Sequence, residues 1–213
     1  MTKSESGGKA VKSISIMAVL ILLAKFMGLF REMLIAGIYG QGYASDVINS
    51  ATQIPLLFFD MVLGVAILST FVPIYNKNLE KVGKSGADAF ANNFITIVGA
   101  VAVLAAILGS VFAQPIVKMM VPGYAEVPGK VEETARLLRV LFPSIAFTAI
   151  AYVVVGILQS HGEFTIPSLI SVVSNGVMIA YLLIFGDKLG LMGVAVSCLL
   201  YTSPSPRDGA TSR

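Results

Sequence analysis

The sequence predicts an all-α, polytopic transmembrane helix bundle, and three observations predict it. Apolar residues make up 56% of the 213-residue chain and charged residues 13%, with a mean hydropathy of +0.84. A soluble domain would carry about a quarter charged residues. The apolar residues arrive in blocks of about 20, the length a helix needs to cross a hydrocarbon core of roughly 30 Å. Between the blocks stand Pro, Gly and Lys, which turn the chain and sit at membrane surfaces. The same composition excludes other classes. The net charge of +3 comes from lysines that flank apolar blocks and form no single basic face, so nucleic acid is not a partner. One cysteine, Cys198, leaves no intrachain disulfide and no thiolate metal cluster.

Five full helices and a truncated sixth are expected. Residues 1–12 are polar, with Lys3, Lys9 and Lys12. The apolar run after them resembles a signal-peptide core, but it continues through charges to Gly40 without a small-residue cleavage site, so it reads as a retained helix. This first helix spans about 14–39 and ends at Tyr39-Gly40-Gln41-Gly42, where glycines permit a reversal. The second spans about 46–75. Pro55 and Pro73 fall inside it, and a proline within a helix removes a backbone bond and kinks it. Asn76 to Asp88 reads as a polar loop. A third helix covers about 90–120, and Pro122-Gly123 ends it. Val121 to Glu133 reads as a second loop, with Arg136 and Arg139 opening an amphipathic turn into a fourth helix, about 137–159, that carries Pro143. After a turn at Ser160 to Glu163, the fifth spans about 166–185. The sixth starts near Leu189 and holds only about a dozen apolar residues before Tyr201, too few to cross.

Thr202 to Arg213 has the composition of disorder, and residues 199–213 form the expected tail. The string from Leu199 to Asp208 also resembles translated sequencing-adapter read-through, so the native chain is expected to stop near Cys198 and the remainder to be a non-native tail. Orientation follows from lysine and arginine in short loops. The N-terminus and the 76–88 loop are lysine-rich, while the 40–42 turn has none, which places the N-terminus in the cytoplasm. Against that scheme, the loop after the third helix carries Lys118, Lys130, Arg136 and Arg139.

Charged residues inside the first block are the candidate site. Lys25, Arg31 and Glu32 lie within the apolar stretch from Ser13 to Gly40. At about 1.5 Å per residue, Lys25 falls near the middle of a span. A charge there costs a few kcal/mol and usually faces a bundle interior or a watery cavity. Lys25, Gly28 and Glu32 share one helical stripe, and Arg31 serves a neighbouring face. The second helix carries Asp46, Asn49, Gln53 and Asp60 at spacings that also repeat along one face. Two antiparallel helices joined by a short loop would bring these faces within reach of each other. One reading is a pair that only fixes packing, Lys25–Glu32 or Arg31–Asp60, or an arginine that snorkels outward. The other is a path for an anionic headgroup, which arginine's planar fork suits better than a lysine point charge. His161 has no second metal ligand nearby, and no phosphate loop, paired-histidine motif or nucleophile elbow appears. No cofactor, metal or catalytic residue is therefore expected.

These residues also sit in recognisable strings. Ala24 to Ala36 (AKFMGLFREMLIA), the Tyr39-Gly40 turn, Ala44-Ser45-Asp46, Gln53-Ile54-Pro55 and Ser69-Thr70-Phe71-Val72-Pro73-Ile74-Tyr75 resemble the opening of the MurJ/MviN lipid II flippases. Val121-Pro122-Gly123-Tyr124 and Phe164-Thr165-Ile166-Pro167 are similar to the same family. The resemblance covers about 1–198. It implies the N-terminal lobe of a two-lobed, fourteen-helix exporter with a central cationic cavity, the C-terminal lobe being absent from this chain. It also implies a multi-pass protein of the bacterial cytoplasmic membrane. Its substrate would be a lipid-linked precursor of the undecaprenyl-pyrophosphate type, its tail remaining in membrane lipid. Arg31 matches an arginine that the family needs for the pyrophosphate, and Lys25 stands where many members have arginine. Glu32 replaces a frequent aspartate, and Asp46 matches the acid that opens the second helix. Phe58, Phe59 and Asp60 stand where some relatives carry arginines, so Asp60 would lower the cavity's positive charge. Two alternatives remain at the level of sequence: a lipid-linked polysaccharide exporter of the same superfamily, and a membrane enzyme acting on polyprenyl phosphates. A packing-only membrane subunit, tolerant of neutral residues at 25 and 31, is a third.

Overall fold

The computed structural model describes residues 3–64, 67–163, 165–186, 188 and 190–200, and these contain no strand. The tail expected to be non-native lies outside the described residues from 201 onward. Helix α1 runs from Lys3–Tyr39, α2 from Tyr43–Phe59, α3 from Val72–Lys81 and α4 from Lys84–Val111. Then come α5 (Ala113–Met120), α6 (Lys130–Leu141), α7 (Ser144–Ser160), α8 (Thr165–Phe185) and α9 (Gly190–Leu200).

The breaks differ from the expected ones, each for a physical reason. Pro55 lies within α2, which stays regular to Phe59, and Pro73 sits in the first turn of α3, where its missing N–H costs nothing. The irregularity falls between the prolines, in π-helical turns at Asp60–Gly64 and Ile67–Phe71. The expected 76–88 loop shrinks to Val82-Gly83, with Gly83 at φ 79°. The expected third helix breaks at Phe112, because Pro115 has no N–H to offer the Val111 carbonyl. The helix expected from about 137 begins at Lys130, directly after left-handed Gly129, and turns by 43° into α7 at Pro143.

Tyr43–Lys81, Lys84–Val111 and Thr165–Phe185 are each long and apolar enough to cross a membrane, and α6 with α7 makes a fourth if the bent pair is one span. That count is of the described residues; α1, the remaining expected span, is a helix of 37 residues.

The largest core joins α2 to α7 around Phe59, Phe71, Tyr75, Phe142 and Val153, each no more than 1% exposed. Edge-to-face and tilted rings link its parts, Phe59 to Tyr152 at 4.8 Å and Phe71 to Phe94 at 4.9 Å. A second cluster unites α1, α2, α8 and α9 through Ile35, Ile48, Met178, Leu182 and Val194. Helix α1 leans chiefly on α8 and meets α2 sparingly. The two run parallel: Asn175 Nδ2 donates to the Ala24 carbonyl at 3.3 Å, and further along Tyr39 Oη donates to the Gly186 carbonyl at 2.6 Å.

Candidate functional site

Lys25 lies on the exposed side of α1. Leu22, Phe26 and Leu29, also exposed, share its face at helical spacings of three and four. One lysine therefore interrupts an otherwise apolar strip. Two turns on, Arg31 is half-buried, and its Nη2 donates to Glu32 Oε1 at 2.7 Å. Neighbours along a helix do not normally face each other, so the arginine must curl round the helix to reach that carboxylate. Its Nε is buried and has no hydrogen-bond partner among the described residues. A buried donor left unmade costs about 1–3 kcal/mol, and such a group asks for an explanation. An anion approaching from the open side would supply one, since a guanidinium edge offers two parallel donors.

Arg31 pairs with Glu32 within α1, and Lys130 with Asp46 between α6 and α2. Helices α1 and α2 meet only sparingly, and the reason is packing. Helix α1 is drawn to α8, where Gly28 lets Asn175 approach and Gly176 receives Met27. Helix α2 is drawn to α6, α7 and α9 through Val47, Ala51 and Ile54. Asp60 opens the first π-helical turn, its Oδ1 3.2 Å from where a Cβ on Gly64 would stand. Counted from the level of Ile35 and Ile48, Lys25 is about 15 Å and Asp60 about 18 Å along their helices. They therefore share a depth on different walls.

Asp46 belongs elsewhere, at the end where α1 turns into α2. Lys130 Nζ donates to Asp46 Oδ2 at 2.8 Å and lies 4.2 Å over the ring of Tyr124 and 5.7 Å from that of Tyr43. Tyr124 Oη donates to the Asp46 carbonyl at 2.9 Å and lies 2.7 Å from Ser50 Oγ. Sequence reasoning missed Lys130, Tyr43, Ser50 and Asn175. Lys130 and Asp46 are 84 positions apart, beyond any local spacing rule.

Comparison with known proteins identifies the family. A family model described as lipid II flippase MurJ matches residues 35–200. The chain belongs to the MurJ lipid II flippase family. The matched span begins after Lys25, Arg31 and Glu32, so membership rests on the rest of the bundle and not on the charged strip. A probable lipid II flippase MurJ of Rickettsia prowazekii (strain Madrid E) is 27% identical over 186 residues, 87% of this chain and 36% of that protein. One from Buchnera aphidicola subsp. Schizaphis graminum (strain Sg) is 29% identical over 177 residues, 83% of this chain and 34% of its own. The lipid II flippase MurJ of Burkholderia cenocepacia is 25% identical over 159 residues, 75% and 31%. The chain spans about a third of the length of the curated relatives it matches. As a MurJ-family chain with several apolar spans, it is a multi-pass protein of the bacterial inner membrane.

Proposed function

We propose that residues 1–198 form the N-terminal lobe of a flippase that moves a lipid-linked peptidoglycan precursor of the undecaprenyl-pyrophosphate type across the cytoplasmic membrane. Transport would proceed by alternating access, with a second lobe facing this one across a midplane path. The observation that carries the reading is Arg31. Its guanidinium meets Glu32 through one nitrogen and keeps Nε buried without a hydrogen-bond partner among the described residues, as a group awaiting an anion does. Lys25 supplies a second positive charge deeper along the same helix, and Glu32 orients Arg31 between substrates. Asp60 tempers the charge at the depth of Lys25, so that the pyrophosphate is held and also released. Asp46 stands at the end where the headgroup leaves, and the lipid tail stays in the bilayer. The N-terminus is cytoplasmic on this reading.

Complementation of a flippase-depleted cell by the full-length protein tests it. Arg31→Ala abolishes growth, Arg31→Lys restores it at most partly because the fork is lost, and Lys25→Arg preserves it. Wild-type growth with Arg31→Ala, at normal membrane levels, overturns the assignment and leaves Arg31 as a packing residue.

A further inference from the structure

Lys130 is the most buried charged side chain described, 7% exposed, and it stands at the opposite end of α2 from Asp60. Removing an ammonium from water is costly unless it is paired and its protons are met. Three groups meet them here: Asp46 Oδ2, the face of Tyr124 and, further off, the face of Tyr43. Ring faces are negative and attract a cation most strongly where water is excluded. The walls of this pocket are themselves fixed. Tyr124 is bonded to the Asp46 carbonyl and lies at hydrogen-bond distance from Ser50, both on α2. Gly129, at φ 78°, turns the chain directly before Lys130, and a Cβ there would lie 3.6 Å from Tyr43 Oη. Asp46 meanwhile keeps 48% of its side chain exposed. The pocket thus swallows the cation and leaves the carboxylate at the surface.

We propose that Lys130 is a positioning residue for Asp46: caged by two tyrosine rings, it grips one carboxylate oxygen and ties the start of α2 to the start of α6. The Val121-Pro122-Gly123-Tyr124 string then has a physical role, since it delivers Tyr124 to the underside of Asp46. What Asp46 offers a passing headgroup rests on the transport reading; the tie does not.

The full chain in membrane vesicles, with Cys198→Ser, tests the tie through a buried probe. Val47 is fully buried beside Asp46, against Leu137 and Leu141 of α6, so Val47→Cys reacts with a maleimide only when the two helices part. Lys130→Met speeds that reaction roughly tenfold or more, the factor carried by 1.4 kcal/mol of lost closure, and Lys130→Arg returns it to near the parent rate. Asp46→Asn does the same as Lys130→Met, and the double variant adds nothing further, as expected of partners in one contact. A control probe, Met178→Cys in the other cluster, stays slow throughout. The swapped pair Asp46→Lys with Lys130→Asp fails to restore the parent rate, because tyrosine faces repel a carboxylate. Unchanged labelling in Lys130→Met, strictly additive effects, a control probe that opens equally, or full rescue by the swap would each overturn the proposal. If Lys130→Met does not reach the membrane, Tyr124→Leu reads the same cage with both charges kept, and parent-rate labelling there is equally fatal. No transport is measured, so loss of the tie leaves the flippase reading standing, and failed complementation leaves the tie.

Discussion

Tyr39, Asp46 and Tyr124 each lie in a string that resembles the flippase family, and each makes a tertiary bond at the same end of the bundle. The residues that make the sequence recognisable are thus partly structural ties, in addition to the charges of α1. Tyr39 shows the scale of one such tie. Its hydroxyl reaches the Gly186 carbonyl at 2.6 Å and lies 3.4 Å from that of Gly190, both near the exposed C-terminal end of α8. Tyr39→Phe removes about 1 kcal/mol, and for a chain of this size that lowers a detergent melting temperature by about 2–4 °C. Gly186→Ala costs more. Its Cβ would meet the Leu182 carbonyl, a backbone atom that cannot step aside, and Ile38 Cδ1 at 2.8 Å. A melting shift for Tyr39→Phe as large as that for Gly186→Ala would show that the hydroxyl carries more than this one bond.

At the scale of elements, the sequence located the helices and misread where they bend. Apolar blocks separated by Gly40, Gly162 and Gly186-to-Gly190 are visible because a glycine turn interrupts hydropathy and backbone together. Pro55 and Pro73 flank the irregular π-helical stretch instead of lying in it, since a proline's effect depends on which carbonyl it faces, and that is settled by the helix start. Phe112 gave no signal of its own; the break there is the shadow of Pro115 three residues on. The bend at Pro143 has a tertiary counterpart. Gly109 of α4 lies so close to the Phe142 ring that a Cβ would collide with its edge. Phe142, 1% exposed, also holds Phe58 edge-on at 5.9 Å. Gly109→Ala should therefore lose about 1–3 kcal/mol through overpacking, read as a lower melting temperature. Phe142→Leu in the same chain should recover part of it by vacating the ring edge. If the double variant melts below the sum of the two single losses, the glycine is not there to admit the ring.

For the whole molecule, the two ends can now be compared as surfaces. The 40–42 turn, the segment 121–130 and the 186–190 turn meet at one end through Tyr39, Tyr124 and Lys130. Val82-Gly83 and the His161 turn lie at the other, where the His161 ring lies tilted against Tyr75 at 6.0 Å between ring centres. The sequence left orientation in conflict, because the 121–139 region seemed as basic as the lysine-rich 76–88 stretch. Lys118, Arg136 and Arg139 are exposed, as are Lys77, Lys81 and Lys84, while Lys130 is withdrawn beside Asp46. The rule that orients membrane proteins counts lysine and arginine in short connections and gives acids little weight, and the lysines that crowd the short Val82-Gly83 connection lie beside the same end as the N-terminal lysines. We therefore expect Gln41→Cys, on an exposed turn, to react with an impermeant maleimide added to the outer face of the cytoplasmic membrane. Ser85→Cys, exposed at the start of α4, should react only after that membrane is opened, with Cys198→Ser as background in both. Labelling in the reverse pattern would put Asp46 and its tyrosine cage in the cytoplasm. On the proposed transport reading, Asp46 would then stand at the end where the headgroup enters.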